Sequence, residues 1–129
     1  MSEPVTKLTA IAHTTKYPVD AFRFVQQALD FTVRRIHGNE SSSEESRHVS
    51  GRDLCKGIRD YALQQYGLLA LTVLSRWHIH SCEDFGHIVF AMVDAQMMRK
   101  TEEDSIRDFM DVYDFQQAFS PPLELTSNS

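Results

Sequence analysis

A chain of 129 residues with 42% apolar and 24% charged side chains has the balance of one soluble globular domain, long enough to bury a core without disulfide or metal staples. Its apolar runs extend over only a few residues, which argues against a bilayer-spanning segment, and the opening "MSEPVTKLTAIAHTTKYP" lacks the basic stretch and apolar run of a secretory signal. The net charge of −5 is unevenly spread: residues 1–80 carry ten Lys/Arg against eight Asp/Glu, and residues 81–129 carry three against ten, an acidic end that should repel phosphates.

In chain order, Val5, Leu8, Ile11 and Ala12 recur at helical spacing and predict a short helix within residues 4–14. "YPVDAFRFVQQALDFTVRRIHG" predicts a long helix over about 18–37. Pro18 suits its start, Phe22, Val25, Leu29, Val33 and Ile36 form its stripe, and Phe24, Ala28 and Phe31 widen that stripe. Arg34, Arg35 and His37 meet the negative end of its dipole, and Gly38 suits a left-handed cap. Residues 39–46, "NESSSEES", cannot bury apolar surface and are expected to be a mobile acidic loop.

Ser50 is a natural N-cap for a helix that runs to Gly67, with Asp53 in its first turn and Leu54, Ile58, Tyr61, Ala62 and Gln65 on one face. "LLALTVLSRW" follows at once and predicts a strongly buried helix through Leu68, Leu71, Val73, Leu74 and Trp77. Ser81 caps the next helix, over 82–96, with Glu83 and Asp84 at its acidic start and a core stripe of Phe85, Ile88, Val89, Met92 and Val93. Residues 97–110 suggest a small β-hairpin, "DVYDFQQAF" a docked closing segment, and residues 121–129 a frayed tail. The expected fold class is therefore mainly α: one compact domain of about five helices over residues 1–120. It contains a winged-helix-like three-helix unit at 50–96 and a possible hairpin at 97–110. That likeness is one of architecture and carries no function.

"SRWHIHSCEDFGHIVF" gathers His78, His80, Cys82 and His87, which raises the question of a zinc site. At 100° per residue Cys82 and His87 lie about 140° apart on one helix, and no CxxC or HxxxH spacing occurs. The four are better explained as junction and surface residues, with His87 one turn from Glu83 and Asp84. No metal ligand, cofactor or catalytic residue is assigned. The five glycines are isolated and form no phosphate loop, and "TEEDSIRDFMDVYD" lacks the glycine and closing glutamate of a calcium loop. Cys55 and Cys82 are expected as reduced core thiols of a cytoplasmic protein.

DNA binding would need Lys or Arg on the helix at 82–96, which has none, and at the hairpin tip, which reads "TEED". A surface for another protein fits better. Phe90 and Met97 form a second apolar strip beside Gly86, which either packs against the long helix or meets a partner, and Glu102, Glu103 and Asp104 would steer a basic one. The expected function is a non-catalytic protein-interaction or adaptor module. Its partner is an unidentified protein or a second copy, with a nucleic-acid-binding regulator as the alternative and an enzyme or metal protein third.

The segments "YPVDAFRFVQQALDFTVRRIHG", "RHVSGRDLCKGIRDYALQQYGLLALTVLSRW" and "EDFGHIVFAMVDAQMMRKTEEDSIRDFMDVYDF" together resemble the small conserved hypothetical proteins restricted to planctomycetes and verrucomicrobia. The resemblance covers residues 15–119. It implies no activity, cofactor or functional residue. The family's pattern reads Trp-Gly after the third helix where this chain has Trp77-His78, a departure that further weakens a metal role for His78.

Overall fold

The computed structural model describes residues 3–38, 49–98 and 105–119, with side chains from residue 7 onward. The expected loop at 39–46 and the tail at 121–129 lie outside the described residues. Helices α1 (Glu3–Ala12), α2 (Val19–His37), α3 (Gly51–Tyr66), α4 (Ala70–Arg76), α5 (Cys82–Asp94) and α6 (Phe115–Phe119) are joined by 3-10 turns at Gly67–Leu69 and Ile106–Phe109. The domain is thus mainly α, and no strand occurs among the described residues. None of its described helices is long and apolar enough to cross a membrane.

Helix α2 is the spine of the fold. Its apolar stripe is wide enough to touch α1, α3 and α5, and its largest interface is with α3. Phe22, Val25 and Ala28 are fully enclosed there, whereas Ile36, at the end of the expected stripe, is 47% exposed. The close approach of α2 and α3 depends on Gly57, because a Cβ at that position would stand 1.8 Å from Thr32 Oγ1. Thr32 satisfies its buried hydroxyl by donating to the Ala28 carbonyl at 2.7 Å. Ser50 caps α3 as expected, its side chain accepting from the Asp53 N–H at 3.1 Å.

Helices α4 and α5 both end in Schellman motifs. After α4, His78 donates its N–H to the Ser75 carbonyl at 3.0 Å and Ile79 donates to Leu74 at 2.9 Å. After α5, Gln96 donates to Val93 and Met97 to Met92, each at 2.9 Å. His78 (φ 67°) and Gln96 (φ 64°) hold the left-handed position that usually falls to glycine. Ile79 and Met97 follow as the apolar residues that turn back onto the core, with Ile79 fully buried.

Three expectations need correction. The segment from Leu68 is not one buried helix: Gly67–Leu69 form a 3-10 turn that leaves Leu68 and Leu69 exposed, and only from Ala70 does the chain enter the core. Gln65, placed on the buried face of α3, is exposed. Nor do the described residues of 97–110 form a strand of a hairpin. Met97 closes a helix, 99–104 lie outside the described residues, and Ile106–Phe109 are a 3-10 turn capped by Ser105, whose side chain accepts from Arg107 N–H at 2.9 Å. The cause is Phe109, which is drawn into the core between two glycines. A Cβ on Gly86 would stand 2.8 Å from its ring, and one on Gly51 would stand 2.9 Å from it.

Candidate functional sites

The α4–α5 junction is organised around a carboxylate. Asp84, buried at the start of α5, accepts from the His80 N–H at 2.7 Å and the Ser81 N–H at 3.2 Å through Oδ2. Its Oδ1 takes the Tyr17 hydroxyl, with Lys16 Nζ at 3.6 Å. His87 Nδ1 stands 4.0 Å from the same oxygen and 3.4 Å from the Tyr17 hydroxyl. Burial pushes the Asp84 carboxyl up, but the bonds from Tyr17 and the His80 backbone, with Lys16 nearby, outweigh it and hold the group below its ordinary value. Burial, and then the bond to Asp84, raises the Tyr17 phenol. The knot ties the linker between α1 and α2 to the α5 N-terminus.

The four metal candidates do not converge. His78 is an exposed helix cap, and the His80 side chain is exposed while its backbone serves Asp84. Cys82 is buried, and His87 lies on the solvent side of the Asp84 knot. The described residues hold no group of three or more His, Cys, Asp or Glu placed to bind an ion.

The apolar strip beside Gly86 is covered by the chain itself. Phe90 meets Phe109 edge-on with ring centroids 6.1 Å apart, and Ile106 and Phe109, rather than the long helix α2, fill the space that Gly86 leaves. Met97 is half-buried against the core. Glu102, Glu103 and Asp104 lie outside the described residues.

Several basic residues of the N-terminal half form ion pairs. Arg34 pairs with Asp30 at 3.3 Å, while Arg35 and Arg59 converge on Asp60 at 2.7 and 2.9 Å. Desolvation of Asp60 is outweighed by hydrogen bonds from Arg59 and Arg35, which lower its carboxyl.

Two features were not anticipated. Leu68 and Leu69 stand side by side on the α3–α4 corner, 69% and 63% exposed, inside residues 61–75, a stretch with no Asp, Glu, Lys or Arg. The other is an open cleft of about 360 Å³ between the α4–α5 junction and the segment before α6, lined by His80, Ser81, Asp111, Tyr113, Asp114 and Phe115. Tyr113 lines this cleft and also contacts Cys55 and Cys82. The lack of charge in 61–75 was visible in the sequence, but apolar periodicity disguised the exposed leucines as core. No protein-family model, no curated protein and no solved structure matches this chain.

Proposed function

We propose that the domain is a non-catalytic protein-interaction module that meets a second copy of itself through the Leu68–Leu69 corner. The observation that carries this reading is the adjacent pair of exposed leucines in an uncharged segment. Two copies of a chain with a net charge of −5 repel one another overall. At residues 61–75 they can meet without apposing like charges, and an isologous contact would bury both leucine pairs. Gln64, Gln65 and Thr72 are exposed around the corner and supply an uncharged polar rim. Two leucines per copy fall well below the roughly 800 Å² per partner of a standard interface, so the contact is weak and concentration-dependent.

A cytoplasmic location belongs to this proposal, supported by a cysteine count too low for a disulfide scaffold. So does membership of the planctomycete and verrucomicrobial family. His78 occupies a left-handed position, the conformation that a glycine in the Trp-Gly pattern would serve.

Sedimentation velocity over a concentration series tests the reading. The wild-type chain is expected to rise above its 14.8 kDa monomer mass as concentration increases, and the Leu68→Gln/Leu69→Gln variant to remain monomeric. Both side chains are exposed, so the variant keeps its core. A wild-type chain monomeric throughout, or a variant that associates equally well, would refute it.

A further inference from the structure

Cys55 on α3 and Cys82, the first residue of α5, are separated by 27 positions in sequence but lie in the same core cluster, where Tyr113 touches both. Both are free and buried. Tyr113 lies against the pair from the cleft side. Its hydroxyl donates to the Cys55 carbonyl at 2.8 Å, and its own carbonyl stands 3.9 Å from Cys82 Sγ. The Arg59 guanidinium sits over the Tyr113 ring, 5.7 Å from its centroid. Tyr113 also lines the open cleft with His80 and Ser81, so the same residue borders that cleft and contacts both cysteines. It belongs to a short segment between the 3-10 turn at Ile106–Phe109 and the five-residue α6, and this segment passes through Asp111 at φ 53°. Such a segment can open without unfolding the helices beneath it.

We propose that Cys55 and Cys82 form a reversible dithiol–disulfide pair, oxidised by hydrogen peroxide that enters beside Tyr113, with Cys82 the sulfur oxidised first.

The order follows from the surroundings of each thiol. The mutual influence of the two thiols lowers Cys82 towards its thiolate and raises Cys55. Backbone groups of Tyr113 and Val112 add to the lowering of Cys82, and the start of a helix favours negative charge there. The Cys82 thiolate attacks one peroxide oxygen, the O–O bond breaks, and hydroxide leaves, giving a sulfenic acid at Cys82. The Cys55 sulfur then attacks Cys82 Sγ. The S–S bond forms, the sulfenic oxygen departs with the Cys55 proton as water, and the peroxide has been reduced to two waters in all. The product tethers α3 to the start of α5.

The test is mass spectrometry of the folded chain after hydrogen peroxide, with remaining thiols trapped by N-ethylmaleimide. The expected product has both thiols blocked together, a mass lower by two hydrogens, a cross-linked peptide joining Cys55 to Cys82, and full reversal by dithiothreitol. Cys55→Ser should halt at a sulfenic acid on Cys82 that dimedone captures, while Cys82→Ser should leave Cys55 unmodified at the same dose. Tyr113→Ala should speed the reaction at least several-fold without changing the product. Circular dichroism identifies any variant that fails to fold, and the wild-type product decides the question without the variants. Two free thiols in the treated native chain, when the urea-unfolded chain cross-links, would overturn the proposal. Cross-linking only between chains would do the same.

Discussion

Thr32 Oγ1 fills the space that a Cβ on Gly57 would need, 1.8 Å away, at the tightest point between α2 and α3. Gly57→Ala must therefore push apart the largest helix interface in the fold, although alanine is the better helix former by about 1 kcal/mol. Overpacking of this kind costs about 1–3 kcal/mol, and the fully enclosed site places Gly57→Ala at or above the upper end. In a Thr32→Ala background the added methyl should cost less. Urea denaturation of the two single variants and the double variant should show a coupling between the sites, and strict additivity would contradict the proposed contact.

His78 and Gln96 hold left-handed backbone positions in the caps of α4 and α5. A residue with a Cβ pays about 1 kcal/mol there relative to glycine. His78→Gly and Gln96→Gly should each raise stability by up to about 1 kcal/mol, read from the midpoint of thermal or urea unfolding. The two sites close different helices, so their effects should add. A loss of stability in His78→Gly would mean that the imidazole makes a contact worth more than the strain.

Asp84 supplies a pH dependence whose sign is set by its lowered carboxyl. A folded-state value below the unfolded one contributes stability that is fully present above about pH 4 and is lost as pH falls through the folded-state value. Wild-type protein should therefore weaken on acidification below that point. Asp84→Asn should be less stable at neutral pH by about 1.5–3 kcal/mol, the range for hydrogen bonds to a charged group, and should flatten the acid limb. Tyr17→Phe removes the bond to Oδ1 and should move the acid limb to higher pH. Unfolding midpoints between pH 3 and 7 read all three.

The helical class was legible because α2, α3 and α5 each carry an apolar repeat longer than a strand can hold, with Ser50 and Ser81 placed where helix caps belong. Periodicity failed at Leu68, where a 3-10 turn rotates two leucines outward within an unbroken apolar run. It also failed around Phe109. A lone aromatic in an acidic stretch resembles a hairpin, and only the two glycines it packs against, Gly51 and Gly86, reveal why it is drawn inward. Gly86 had signalled a close approach, but helix spacing could not say which element made it. The histidines were legible as scattered because a single helix cannot bring Cys82 and His87 together. The Cys55–Cys82 pairing was not, since it joins two helices across the core and leaves no local spacing to read.

The α3–α4 corner is tested most directly by methyl NMR of the leucines over a dilution series from micromolar to millimolar protein. Concentration-dependent shifts are expected at Leu68 and Leu69, with a smaller one at Leu71 and none at the buried Leu54. Leucine methyls that stay fixed over the whole range, or shifts centred on another face, would contradict it.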